Sequence, residues 1–317
     1  MDVTTGGSRP TLAGAVGLAV GIGLDALVAD PRTGHPVAVF GGAAARLERR
    51  VHRDSRAVGA AYAGVLCGAA GLIGASVRGR PRRLALGTAV ATWAVLGGTT
   101  LRREAAAMDG LLRAGDLPGA RQRVSHLCGR DPGELDLQGL ARATVESVAE
   151  NTSDAVVAPL FWGAVLGAPG LLAYRAVNTL DAMVGHRSVR YAKFGWAAAR
   201  ADDVANLVPA RITAALAVVL APVVGGRPRA ALRAWQRDGR KHPSPNAGPV
   251  EAAFAGALGR TLGGRIAYAG RVEDRPLLGD GPSPVVDDVA RAAQLSMAVS
   301  LAAAALAVSV RAWLDRR

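Results

Sequence analysis

Six stretches of this chain are apolar for longer than a soluble domain can use. Residues 57–77 (AVGAAYAGVLCGAAGLIGASV), 84–101, 155–174 and 293–310 carry no charge at all. Residues 11–29 hold a single acid, Asp25, and residues 207–226 a single base, Arg211. A helix of about 20 apolar residues crosses the ~30 Å hydrocarbon core of a bilayer. A soluble domain instead breaks its apolar residues into a period of two or 3.6. The competing reading is a soluble bundle with buried core helices, which rarely needs four uncharged stretches of this length. The blocks therefore predict an all-α, polytopic helical membrane protein, one integral-membrane domain over 1–317. Its six spans are 11–29 (crossing or re-entrant), 57–77, 84–101, 155–174, 207–226 and 293–310. Residues 102–154 and 227–290 read as helical cytosolic insertions punctuated by Gly and Pro.

The net charge is +13, and all but Lys193 and Lys241 of the 38 basic residues are Arg. Such a balance can mark a nucleic-acid partner. Here the bases flank the apolar blocks, as in RGRPRR at 78–83 and RAWLDRR at the C-terminus. Orientation of the spans and contact with anionic lipid account for that placement, and no nucleic-acid partner is expected. Cys67 lies within a block and Cys128 in a polar loop, which supports no disulfide framework.

Topology is less direct. The short Arg-rich turn at 78–83 reads as cytoplasmic. Strict alternation of six spans places the larger total of basic residues on the opposite side. A block that dips in and returns reconciles the two; 11–29 is one candidate. Another is 155–174, which Pro159, Gly167, Pro169 and Gly170 interrupt.

The polar motifs share one habit: each abuts the end of an apolar block. In ARATVESVAENTSDAVVAPLFWG, Glu146, Glu150 and Asp154 fall at four-residue spacing, with Asn151 between the last two. Further on, Arg175, Asn178 and Asp181 share one helix face, as do Arg200, Asp203 and Asn206. The loop RKHPSPNAG brings Ser244 and Asn246, and LDALVADPRTGHP brings Asp25, Asp30 and His35. Acids, amides and glycine turns suit a Mg²⁺–phosphate site, since Mg²⁺ takes one or two carboxylates plus water and phosphate oxygens. Arg175, Arg187, Arg190 and Arg200 could grip phosphate or carboxylate through two nitrogens. Plainer roles stand beside these: Asp154 as a helix cap, Asp203 with Arg200 as a surface ion pair, His35 as a loop residue. Spacing alone favours Glu150, Asp154, Asn178 and Asp181 as functional.

AENTSDAVVAPLFWG, YRAVNTLDAMVGHRSVRYAKFGWAAARADDVANLVPARIT and HPSPNAGPVEAAFAGALGRTLGG, with the earlier DPRTGHPV, run in one order over about residues 20 to 280. In these motifs the chain resembles the membrane-bound adenosylcobinamide-phosphate synthase family of cobalamin biosynthesis. The resemblance implies an ATP- and Mg²⁺-dependent amide-forming ligase with no tightly bound prosthetic group. It would attach (R)-1-aminopropan-2-ol, or its O-phosphate, to a propionate carboxyl of adenosylcobyric acid. Among the motif residues, their chemistry suggests Glu150, Asp154 and Asp181 as catalytic residues, and Asp154, Asp181, Asp202 and Asp203 as Mg²⁺ ligands. Substrate and phosphate contacts would come from Asn151, Arg175, Asn178, His186, Arg200, Asn206, Ser244, Asn246 and His35. The expected setting is the cytoplasmic membrane, with the site facing the cytosol and other membrane enzymes of the cobalamin pathway as partners. A non-catalytic transporter or scaffold of the same pathway is the alternative.

Overall fold

The computed structural model describes residues 11–28, 34–125, 133, 135–186, 188–268 and 271–317, with 265–268 and 271–273 described as backbone alone. Arg187, Asp30 and Cys128, considered above, lie outside the described residues.

Most of the described chain is helical. The first elements are α1 (Ala13–Val28), α2 (Pro36–Val51), α3 (Arg56–Ala75), α4 (Pro81–Val95), α5 (Gly98–Arg113), α6 (Leu117–Val124) and α7 (Leu137–Thr152). A π-helical turn, Ser153–Val157, leads into α8 (Ala158–Leu166) and α9 (Ala168–Leu180), and a second, Asp181–Gly185, closes α9. Then come α10 (Trp196–Ala205), α11 (Leu207–Leu220), α12 (Pro228–Asp238), α13 (Ala247–Leu258), strands β1 (Leu262–Tyr268) and β2 (Arg271–Leu278), and α14 (Asp287–Asp315). Local chemistry sets several of the starts. Ser55, Asp116 and Asp136 accept the N–H of Val58, Gly119 and Gly139 at the entries to α3, α6 and α7.

Four helical runs are long and apolar enough to cross a membrane: Arg56–Ala75, Pro81–Arg113, Leu207–Val224 and Asp287–Asp315. Their outer faces carry exposed Val65, Leu72, Leu86, Val90 and Leu301, a surface that lipid can cover but water would not favour. The protein is thus a polytopic helical membrane protein. Inside the bundle, small residues let backbones approach. A Cβ on Gly17 of α1 would stand 2.5 Å from the Ala85 carbonyl oxygen of α4, and one on Gly21 2.4 Å from Thr92 Cβ.

Three local departures from the sequence expectation have physical causes. The block 155–174 is a hairpin of two short helices: Gly167 takes φ +70°, and the N-terminus of α9 folds back until Gly170 meets the Trp162 carbonyl. The block 84–101 breaks at Leu96–Gly97, so α4 and α5 are separate helices. Within 227–290, expected as helical, β1 and β2 form an antiparallel hairpin. Its register slips between Leu262 and Gly264, where Gly263 and Gly264 both take positive φ. Every residue of α13, in the same region, is buried, so this stretch supplies core as well as surface. That core joins α7, α11, α13 and α14 around Leu140, Val148, Phe254, Leu258 and Leu295.

Candidate functional site: an acidic cavity at the helix breaks

The break in α4–α5 is stabilised at both lips by opposite charges. Asp25 of α1 is 7% exposed, and its Oδ2 accepts the backbone N–H and the hydroxyl of Thr99, each at 3.2 Å, at the N-terminus of α5. On the other lip the Arg175 guanidinium donates to the Val95 carbonyl, with Nε at 2.9 Å. A carboxylate at a helix N-terminus and a cation at a C-terminus are each favoured by the helix dipole. Between the lips, Gly97 N–H donates to the Ala155 carbonyl at 3.0 Å, tying the break to the π-turn that contains Asp154.

That π-turn, the end of α9, α10 and the loop before α13 enclose a cavity of about 220 Å³. Glu150, Asp154, Asp181, Asp202 and Asp203 line it, with Ser153, Asn206, Ser244 and Asn246. Four separate stretches of sequence therefore meet at one point. No Lys or Arg is among the lining residues. The amides orient the acids: Asn206 Nδ2 donates to Asp202 Oδ2 at 3.0 Å, and Asn178 Nδ2 to Asp202 Oδ1 at 3.3 Å. Asn246 Nδ2 donates to the Asp203 carbonyl at 2.7 Å, and Ser244 Oγ accepts the N–H of Asn246 and Ala247.

Crowding of acids shifts their protonation. Burial, then the charges of Asp202, Asp203 and Glu150, push the Asp181 carboxyl up to about 7. Burial also pushes Asp202 up to about 6. The hydrogen bonds from Asn178 and Asn206 work against that rise, while Asp203 and Glu150 add to it. Negative charge held this closely is the environment that a divalent cation relieves.

The donors are hard oxygens, as Mg²⁺ prefers. Among the described residues no three His, Cys, Asp or Glu side chains could hold a metal between them. Ser153 gives an independent sign of a missing polar partner. It is 2% exposed, and its Oγ has no hydrogen-bond partner among the described residues.

The remaining residues singled out in the sequence sit at different distances from this cavity. Asn178 stands behind Asp202, and Arg175 behind Asn178, donating to its Oδ1 at 3.3 Å. Arg200 meets Asp203 at 3.2 Å from the exposed side. Asn151 turns back to its own helix, donating to the Ser147 carbonyl at 2.9 Å. His35 caps α2 by accepting the Val37 N–H, and His186 stacks edge-on against Tyr191 with centroids 4.9 Å apart. None of these last three lines the cavity.

Three contributors escaped the sequence reading. Besides Ser153 these are Tyr174 and Arg211. The Tyr174 hydroxyl reaches both the Asp154 carbonyl and Asn206 Oδ1, at 3.1 and 2.9 Å. Arg211 donates to Asn246 Oδ1 at 2.9 Å. Arg211 had one visible signal: it is the lone base of its apolar block, and a charge there must face protein.

The acidic cavity and the Arg-rich turn occupy opposite ends of the membrane-facing bundle. α4 begins at Pro81, beside Arg78–Arg83, and ends at Val95, on the guanidinium of Arg175. Its 15 residues span about 22 Å.

Comparison with known proteins shows the family. The family described as CobD/Cbib protein matches residues 18–296. A cobalamin biosynthesis protein CobD of Mycobacterium tuberculosis (strain CDC 1551 / Oshkosh) is 56% identical over 296 residues, covering 93% of this chain and 95% of the relative. Proteins of the same name from Rhodobacter capsulatus and Chromobacterium violaceum are 45% and 40% identical. The first covers 86% of this chain and 90% of the relative, the second 94% and 99%. No solved structure matches. With a family match over most of its length and relatives this similar along nearly the whole chain, the protein belongs to the CobD/CbiB family of cobalamin biosynthesis proteins.

Proposed function

We propose that the chain is an ATP-dependent ligase that joins the amine of (R)-1-aminopropan-2-ol, or of its O-phosphate, to a propionate carboxyl of adenosylcobyric acid. The product is adenosylcobinamide or its phosphate. The observation that carries this reading is the convergence of Glu150, Asp154, Asp181, Asp202 and Asp203 on one cavity at the end of the apolar bundle.

A carboxylate is a poor acyl donor at neutral pH. One of its oxygens must first take the γ-phosphoryl group of ATP, releasing ADP. The amine nitrogen then attacks the acyl carbon, inorganic phosphate leaves, and the amine gives up a proton. Asp181, whose carboxyl is pushed up by burial and the neighbouring acids, suits the role of proton acceptor when it is not itself holding Mg²⁺. Mg²⁺ bound by the aspartates would screen the phosphate oxygens from the carboxylates. Asn206, Asn246 and Ser244 keep the acids oriented, and Ser153 Oγ has a hydrogen bond left to give. At about 220 Å³ the cavity admits only the reacting ends: phosphates, amine and propionate. The corrin ring and adenosyl group stay at its mouth. Substrates made in the cytosol favour a cytosolic orientation of the cavity in the cytoplasmic membrane.

The direct test incubates detergent-solubilised protein with adenosylcobyric acid, aminopropanol or its phosphate, Mg²⁺ and ATP. Formation of the condensed amide together with ADP is the expected result. Failure with both amines, in protein that retains its fold, refutes the proposal.

A further inference from the structure

At the end of the bundle away from the acids, a second cavity of about 270 Å³ lies between the N-terminus of α1, the turn before α4, the α8–α9 turn and the last turns of α14. Its lining includes Gly14, Arg78, Thr88, Gly167, Ala168 and Arg311.

The polar side chains that line this cavity, Arg78, Thr88 and Arg311, can each donate a hydrogen bond. The N-terminus of α9 opens onto it with no side-chain cap, although Ala168 and Gly170 are buried there. The first N–H groups of a helix have no partner within the helix, and Pro169 offers none. Thr88 is fully buried, and its Oγ1 has no hydrogen-bond partner among the described residues. Arg78 is in no ion pair among the described residues, and it lines the cavity. Arg311 gives Nε and Nη2 to Asp315 Oδ1. Its Nη1 points toward Gly167, 3.8 Å from where a Cβ would sit. Asp315 Oδ2 is occupied by the Ala15 N–H at 2.9 Å, so it caps α1.

An uncapped helix N-terminus, a buried hydroxyl and two guanidinium groups are complementary to a phosphate oxygen cluster. The surroundings say which phosphate. Val165 and Leu166, both exposed, line the cavity beside Val77 and Leu84, and Trp313, two residues beyond Arg311, is exposed as well. Ser296 of α14 is level with the acid site through its 2.6 Å bond to Thr152, and Arg311 lies about 22 Å further along the helix, near one hydrocarbon thickness. We infer that this cavity seats the phosphate of an anionic phospholipid, in the leaflet opposite the acidic site. The helix turn that closes 155–174 into a hairpin thereby gains a lipid ligand. The inference does not depend on the ligase reading.

Native mass spectrometry of the full chain in detergent tests it, with phosphatidylglycerol or phosphatidylcholine added, and with inorganic phosphate as a separate arm. Phosphatidylglycerol should be retained in preference to phosphatidylcholine. Arg78→Ala should lower that retention about fivefold, the effect of one basic residue at a membrane surface. Thr88→Val, which removes a buried hydroxyl at nearly constant shape, should also lower it. Arg82→Ala with Arg83→Ala, on the same turn but outside the cavity, should leave it unchanged. Equal retention by wild type and Arg78→Ala overturns the site. So does equal loss in the Arg82/Arg83 variant, which would mean diffuse charge. Inorganic phosphate that competes as well as the lipid would overturn the lipid source.

Discussion

The Arg175 guanidinium rests on the Val95 carbonyl, with Nε 2.9 Å from the oxygen, and reaches Asn178 with Nη1 at 3.3 Å. One side chain thus closes the end of α4 and steadies the amide that holds Asp202. Arg175→Ala leaves a carbonyl without its donor in apolar surroundings, a loss of about 1–3 kcal/mol. Arg175→Lys keeps the charge but lacks the planar fork that serves both partners. Both variants should lower the unfolding temperature and kcat together, with KM for ATP little changed. A large rise in KM at unchanged thermal stability would mean that Arg175 contacts phosphate directly.

The raised Asp181 and Asp202 carboxyls predict an unusual pH dependence. Between the ordinary carboxylate range and their folded values of about 7 and 6, the unfolded chain has lost these protons while the folded chain keeps them. The folded state binds more protons there, so these two groups make stability fall as pH rises from about 4 to 7. Without divalent cations, the unfolding temperature should be lower at pH 8 than at pH 5. Added Mg²⁺ should raise it more at pH 8 than at pH 5. Thermal denaturation in detergent at the two pH values, with and without Mg²⁺, decides the matter; a Mg²⁺ effect independent of pH would speak against binding at these acids.

Asp181→Asn keeps the shape of the side chain but removes its capacity to take a proton. Loss of a general base costs about 10²- to 10⁴-fold in rate. Because Asn relieves repulsion among five acids, the same substitution should stabilise the fold. Activity down and unfolding temperature up is the expected pair. Asp203→Asn, whose partner Arg200 approaches from the solvent side, should have the milder effect on rate.

The parts of this site that a reader could find in the sequence are those with short-range spacing. Arg175, Asn178 and Asp181 share a face because three residues make most of a helical turn; in the structure Arg175 supports Asn178, which holds Asp202, while Asp181 lines the cavity itself. The same logic misleads at Glu146. It shares the spacing of Glu150 and Asp154, yet its Oε1 accepts the Gly263 N–H at 2.7 Å, supporting the β-bulge rather than the cavity. Spans were legible as apolar blocks, but whether 155–174 crosses or returns depended on the φ of Gly167. Asp25 was visible as a lone acid, while its partner Thr99 lies 74 residues away, a pairing that no local pattern announces.

Close packing of α1 on α4 can be tested through Gly17. A Cβ there would stand 2.5 Å from the Ala85 carbonyl oxygen, a fixed backbone atom. Gly17→Val should cost about 1–3 kcal/mol through forced displacement of one helix. Gly23→Val is the matched control, since a Cβ at Gly23 meets nothing within 4 Å. Thermal stability should fall in the first and hold in the second.

Opposite placement of the acidic cavity and the Arg-rich turn yields a prediction about topology. If the α8–α9 hairpin returns without crossing, residues on either side of 155–174 face the same compartment. Single cysteines at Arg80, Ser125 and Arg240, all exposed, report on this in a Cys67→Ala, Cys128→Ala background. With an impermeant maleimide on intact cells, Arg80→Cys should label, whereas Ser125→Cys and Arg240→Cys should label only after the membrane is opened. The Arg-rich turn would then defy the charge rule for short loops, which is a bias of insertion and not a law. Labelling of Ser125→Cys and Arg240→Cys from opposite sides would separate the stretches that build the acidic cavity, and the ligase reading would fail with it.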